Sequence, residues 1–155
     1  MLVVNCKDIS GVWPKPADIV TGEIATGPTM VATAKIATYQ FPDGTFSLQD
    51  AQDGEPGFQS YKHTAGFMLA GFSKTITAEL AKHLNSGSLI IGEMNDGQYS
   101  LVGATDNPLY IKAAFNSGAK GSDKRGYTLK AEQDGFMWGV LPIKSTVVTA
   151  LTLLP

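Results

Sequence analysis

Polar and apolar positions repeat along this chain mostly with a period of two, the signature of half-buried strands. Tyr61, His63, Ala65, Phe67 and Leu69 alternate with Lys62, Thr64, Gly66 and Met68, which predicts a strand over 60–71. Tyr127, Leu129 and Ala131 alternate with Thr128, Lys130 and Glu132, the cleanest such run in the chain. Leu109, Ile111, Ala113 and Phe115 share one face of a third strand over 108–115. Apolar runs at 89–94 and 98–103 flank Asn95, Asp96 and Gly97, and an Asp-Gly pair between apolar runs predicts a tight hairpin. Two further strands are expected at 19–25 and 29–41 around a turn at 26–28. In the second of these, Val31, Thr33, Lys35, Ala37 and Tyr39 take one face, and Met30, Ala32, Ala34 and Ile36 the other. A turn at 42–44 leads to a short hairpin-closing piece at 45–48, an acidic loop follows at 49–57, and two final strands are expected at 136–141 and 144–153 around Pro142.

One segment breaks the period. Ile76, Leu80 and Leu84 recur at i, i+4 and i+8, which predicts a helix over 75–85 with Thr75 as its N-cap, Lys82 and His83 in its last turn, and Asn85 and Gly87 as its stop. About nine or ten strands and one helix, in the order strands, helix, hairpins, predict a mainly β, α+β domain. The expected architecture is an antiparallel β-barrel or sandwich with one flanking α-helix at about 75–85. Residues 1–18 form a short apolar run followed by Gly11, Trp13, Pro14 and Pro16, where two prolines hold the backbone extended. They are expected as an N-terminal strand or arm with Trp13 as its anchor, ahead of a single β-rich domain over 19–155 with a long loop at 116–126.

Composition changes this picture in one respect. The 155 residues fit one domain, but only 17% are charged, below the usual ~25%. A low charge density suits a domain that packs against copies of itself, and equally a monomer with a generous core. The net charge of −2 and pI of 5.6 argue against the basic stripe that sequence-specific nucleic-acid binding needs. The single cysteine, Cys6, forms no internal disulfide, and the first residues lack the basic segment and long apolar run of a signal peptide. No stretch approaches the ~18 apolar residues of a membrane span.

Candidate chemistry is sparse. The 116–126 loop carries three glycines with Lys120, Lys124 and Arg125, which could cradle an anion. Gly121 is followed by Ser-Asp-Lys and then a strand, so it is not a P-loop; a connection between strands or a subunit contact is the simpler reading. Asp50, Asp53 and Glu55 invite a calcium site, but a solvated loop accounts for them. His63 and His83 lack partners at metal-ligand spacing, and Glu79 and Glu93 make no evident acid/base pair. Cys6 reads as a small hydrophobe. Trp13 and Trp138 could stack on sugars, although anchoring is the commoner use of tryptophan. No cofactor or metal is expected.

The pieces over 61–142 nevertheless have a familiar order. His63 and Phe67 lie in one strand, Ala78-Glu79-Leu80-Ala81 in a helix, and Leu89-Ile90-Ile91 and Tyr99-Ser-Leu-Val-Gly103 around the Asp96-Gly97 turn. Asn107-Pro108-Leu109, Ser117-Gly118, Asp123-Lys-Arg-Gly126 and Tyr127-Thr-Leu129 follow. This run resembles bacteriophage tail-tube-like virion proteins, including those of Bacteroidetes phages and prophages, over about half of the chain. The resemblance implies a non-enzymatic structural subunit in a virion assembled in a bacterial host cytoplasm. Copies would join into rings or a tube, as tail tube, tail terminator or neck ring, with other virion proteins as partners and no membrane. Trp13, Lys120, Lys124 and Arg125 are the candidate subunit contacts. The alternatives are a small ligand- or carbohydrate-binding β-domain, a capsid-associated protein, or a hydrolase built from distant residues around His63 and His83.

Overall fold

A computed structural model describes residues 1–34 and 36–151 of the chain. Its elements in order are β1 (Leu2–Asn5), β2 (Ile19–Val20), β3 (Glu23–Ile24), β4 (Ala37–Thr38), β5 (Ser47–Asp53), β6 (Ser60–Ala70), α1 (Lys74–Lys82), β7 (Ser88–Glu93), β8 (Tyr99–Val102), β9 (Tyr110–Asn116), β10 (Gly126–Phe136), β11 (Leu141–Ile143) and α2 (Ser145–Ala150). The strands form two sheets. One has seven strands in the order β2-β3-β11-β8-β7-β1-β4, and the other has four in the order β5-β6-β10-β9. The fold is thus α+β and mainly β, and neither sheet closes into a barrel.

The two sheets face each other across an apolar layer. Because β6 and β10 pair in register from Ala70 opposite Gly126 to His63 opposite Gln133, their alternation adds up to one continuous face. Ala65, Phe67 and Leu69 of β6 and Leu129 and Ala131 of β10 bury against Val3, Ile90 and Val102 of the larger sheet. The next residues along β1 and β7, Leu2, Val4, Leu89 and Ile91, point the other way, into a second core with Trp13, Ile143 and the α2 residues Val147 and Val148. The larger sheet is therefore buried on both faces at β1 and β7, which is why Leu2–Val4 and Leu89–Ile91 are continuous apolar runs instead of alternating.

Several expectations change for identifiable reasons. Residues 2–5, within the segment expected as an N-terminal strand or arm, form a strand, and it lies inside the larger sheet, with β1 paired to both β7 and β4. The strand expected over 29–41 shrinks to a Met30–Ile9 bridge and β4. Its two faces carry similar small and apolar residues, so no polarity difference selects a register, and a turn closed by the Ala34 amide and the Val31 carbonyl at 2.9 Å interrupts it; Lys35 of that run lies outside the described residues. Much of the expected acidic loop at 49–57 is strand β5, antiparallel to β6. It is an edge strand exposed on both faces, so its sequence shows no alternation. The residues expected to close a hairpin at 45–48 instead lead into that pairing with β6.

The helix also shifts. Ser73, not Thr75, is the N-cap, its Oγ accepting from the Ile76 amide at 3.2 Å. The helix ends at Lys82, leaving Leu84 outside it and 74% exposed. The run expected as a last strand over 144–153 is helical at Ser145–Ala150, although Thr146, Val147, Val148 and Thr149 are β-branched. Burial of Val147 and Val148 against the larger sheet outweighs a propensity cost of a few tenths of a kcal/mol per residue. Residues 152 and 153 lie outside the described residues. The expected strand at 136–141 is replaced by the end of β10 at Phe136 and the start of β11 at Leu141.

Gly126 holds the β6–β10 pair close. A β-carbon there would meet the Leu69 carbonyl oxygen and approach the Ala70 Cα to 3.2 Å. Gly126→Ala should therefore cost about 2 kcal/mol through backbone displacement, read as a lowered urea midpoint with unchanged slope.

Candidate functional site

The residues that could act divide into two buried polar clusters and one exposed sheet surface. The first cluster centres on His83, which is 5% exposed at the end of α1. Its Nδ1 lies 2.9 Å from Ser88 Oγ and its Nε2 3.1 Å from the Tyr39 hydroxyl. Ser86 Oγ donates to Asn5 Oδ1 at 2.9 Å, and Asn5 Nδ2 donates to the Lys82 carbonyl at 3.2 Å, tying the helix end to β1. Burial holds the His83 imidazole below the usual histidine range, with Lys82 adding to the effect and Glu79 and Asp8 opposing it. Burial, reinforced by Glu79, raises the Tyr39 hydroxyl far above the ordinary tyrosine range. A surface cavity of about 240 Å³ lies outside, lined by Asn5, Asp8, Thr33, Glu79, Lys82 and His83 among others. Ser88 and His83 have the hydrogen bond of a nucleophile and its base, yet Ser88 is fully buried and its Oγ can reach no substrate. The cluster joins α1, β7 and Tyr39.

The second cluster is His63, 1% exposed on the inner face of β6. Its Nδ1 accepts from the Gly103 amide at 3.2 Å, so Nε2 carries the proton and donates to the Trp138 carbonyl at 2.9 Å. The ring stacks on Phe136 with centroids 3.9 Å apart and an interplanar angle of 6°. Both nitrogens are spent on backbone groups, and burial lowers the pKa, so His63 joins the sheets and has no proton to exchange with a substrate.

The remaining sequence candidates are dispersed. Trp13 is 3% exposed; its Nε1 donates to the Thr26 carbonyl at 2.8 Å, and its backbone exchanges hydrogen bonds with Thr105. It anchors the first segment inside this chain, with no ring face left for a sugar or for a neighbouring copy. Trp138 is half-buried, so the two tryptophans form no shared platform. Burial pushes the Cys6 thiol up to about 11, which keeps it protonated at neutral pH. Alternation along β5 points Asp50 and Asp53 to opposite faces, where Asp50 accepts from the Val140 amide at 3.0 Å and Asp53 from the Gly54 amide at 2.8 Å. Among the described residues, no three His, Cys, Asp or Glu side chains are grouped to hold a metal ion.

The exposed surface belongs to the four-stranded sheet. Its outer face is polar and small, with Lys62, Thr64, Gly66, Thr128 and Lys130 at its centre and Glu132 bridged to Lys62 at 3.5 Å and to Lys130 at 3.2 Å. Its lateral strands β5 and β9 each run seven residues with nearly every residue exposed, and among the described residues each pairs on one side only. The 117–125 connection joins β9 to β10. Asp123 folds it, accepting from the amides of Ala119 and Lys120, both at 2.8 Å, and these bonds depress its carboxyl pKa. The amides that could have cradled an anion are thus taken by the loop's own carboxylate, while Lys120, Lys124 and Arg125 are exposed. The length of β5 and its status as an edge carried no signal in the sequence; only its pairing partner reveals it.

Compared with protein-family models, curated proteins and solved structures, the chain gives no significant match.

Proposed function

We propose that this chain is a non-enzymatic structural subunit that associates laterally with copies of itself, as a ring- or tube-forming component of a phage or phage-like particle. The observation that carries the reading is the pair of free edges on the four-stranded sheet. Both are seven residues long and exposed, and lone domains normally blunt such edges with bulges, prolines, a covering segment or charges; β9 carries one charge, Lys112, and β5 two, Asp50 and Asp53. Neither strand contains a proline.

The strand count makes the two edges compatible. With four antiparallel strands, β5 and β9 run in opposite directions. Rotating one copy beside another brings β9 of the first antiparallel to β5 of the second, so one sheet continues through successive copies. Such a head-to-tail contact closes into a ring when its rotation permits. The small, polar outer face would then line one side of the ring. The low charge density and the resemblance of 61–142 to tail-tube-like virion proteins support the same reading, with tail tube, tail terminator and neck ring as the roles it covers. Its setting would be the virion and its partners other virion proteins.

Light scattering after size exclusion, with negative-stain images at high micromolar concentration, tests the reading. Rings or short tubes are expected. Ala113 of β9 is exposed and opposite Leu129 on the inward side of the sheet, whereas Lys112 lies on the outer side opposite Lys130. Ala113→Lys should leave the thermal midpoint within about 1 °C while reducing lateral assembly at least about tenfold, because an inward-pointing charge opposes strand addition. A wild-type protein that stays monomeric under these conditions, or a variant that assembles as well as wild type, would contradict it.

A further inference from the structure

Charge is sorted between the two ends of the four-stranded sheet, a different axis from its lateral edges. At the end where β6 stops, β10 starts and β9 stops, the chain presents Lys74, Lys120, Lys124 and Arg125, all exposed. Pairing of Gly126 with Ala70 and Asn116, and the bond from the Gly71 amide to the Arg125 carbonyl at 3.0 Å, hold these connections together. The acid at this end, Asp123, is engaged by its own loop. Lys74 opens α1, where the helix dipole would favour an acid, and the first turn contains none. Two large apolar side chains lie among these cations: Phe72, 58% exposed, and Phe115, 45% exposed, with ring centroids 4.9 Å apart.

The opposite end is the reverse in sign. There β5 stops, β6 starts, β10 stops and β9 starts, and the chain presents Asp53, Glu55, Asp106 and Asp134, all exposed. The 53–60, 104–110 and 133–139 segments contain no lysine or arginine. Asn107 ties two of them together, donating to the Asp134 carbonyl at 2.6 Å and accepting from Gln133 at 2.9 Å. Phe58 and Met137 stand out at this end, 83% and 90% exposed. None of the eight end charges named here forms an ion pair among the described residues. The eleven residues of β6 and β10 separate the ends by about 35 Å, several Debye lengths at physiological salt, so each end acts on a partner independently.

We propose that copies of this protein also associate end to end, the basic end of one four-stranded sheet seating on the acidic end of the next. Phe72 and Phe115 meet Phe58 and Met137 at the centre, and the opposed charges surround them and fix polarity. One copy carries both halves of the contact, so the arrangement is head-to-tail and propagates. This deepens the lateral reading by taking a second copy as partner, but it uses different residues.

Two charge-reversed variants test it. The first carries Lys120→Glu, Lys124→Glu and Arg125→Glu; the second carries Asp53→Lys, Glu55→Lys and Asp134→Lys. Both are combined with Ala113→Lys to remove the lateral contact. Sedimentation velocity of Ala113→Lys alone at low salt should show linear oligomers that weaken at least about tenfold in 0.5 M salt. Each reversed variant alone should lose this association, and an equimolar mixture should recover it, because opposite ends again face each other. Thermal midpoints report that each variant is folded; should one fail, the single substitutions Arg125→Glu and Glu55→Lys form the pair. The proposal is overturned if Ala113→Lys does not self-associate, if the reversed variants associate as it does, or if their mixture does not recover. Binding of the basic end to a heparin column without self-association would also overturn it, assigning those cations to an anionic partner. Loss of rings with retained linear oligomers would support the end contact while separating its fate from the lateral reading.

Discussion

Leu129→Ala should destabilise the protein by about 3 kcal/mol, within the ~2–5 kcal/mol range of leucine truncation at a packed site. Leu129 is 1% exposed on β10 and lies in the layer that joins the two sheets. Truncation removes about three methylene-sized groups from that layer and leaves a void that neighbours on two paired sheets cannot collapse to fill. For a chain of this length the thermal midpoint should fall by roughly 6–12 °C. Leu84→Ala is the matched control. The apolar spacing of Ile76, Leu80 and Leu84 would put Leu84 on a buried helical stripe, whereas the helix ends before it and it stays 74% exposed. Its truncation should shift the midpoint by about 1 °C or less. Comparable losses from the two substitutions would mean that the inter-sheet layer is not the core described above.

Stability should also fall as the pH drops from 7 toward 5. His63 and His83 are both buried and hydrogen-bonded within the fold, and burial holds both below the ordinary value of about 6.5 that they regain when unfolded. Above 6.5 both states are neutral at these positions and stability is complete. Below it the unfolded chain takes up protons that the folded chain refuses, so stability is lost downward from 6.5 until the folded imidazoles themselves protonate. The slope can reach about 1.4 kcal/mol per pH unit for each histidine. Around His63, the Trp138 carbonyl and Asp50 oppose the shift without reversing it; around His83, Glu79 and Asp8 do so. Urea midpoints at pH 7.5, 6.5 and 5.5 give the slope, and His83→Gln should reduce it by about half while lowering overall stability. A flat profile over this range would show that the imidazoles titrate normally.

These predictions use features of unequal legibility. The alternation of β6 and β10 reads directly from residues 61–69 and 127–132, because inward and outward positions on a strand differ in polarity when one face is wet. The hairpin of β7 and β8 is equally visible, since Asp96-Gly97 meets a local backbone requirement. Ser73 and Thr75 both qualify as the N-cap by residue type, and only the Ser73 Oγ bond to the Ile76 amide decides between them. β5 was hidden because an edge strand wet on both faces has no pattern to show. α2 was hidden because Val147 and Val148 are strand formers whose burial, not their propensity, makes the helix. The roles of His63 and His83 were illegible too: their partners at Gly103, Trp138, Ser88 and Tyr39 lie between 5 and 75 residues away.

Local patterning is enough to show a mainly β chain, a helix following the strand over 61–69 and a cationic loop preceding the strand over 127–132. Those are statements about neighbours, carried by periods of two and of 3.6 and by turn chemistry. Strand order and long-range packing establish that β1 lies between β7 and β4 and Trp13 is internal, that β5 and β9 are the edges of their sheet among the described residues, and that acids from three segments gather at the end opposite the basic loop. Strand order and pairing create these properties. They join residues tens of positions apart, and free energy summed over the whole chain selects them where no local pattern can.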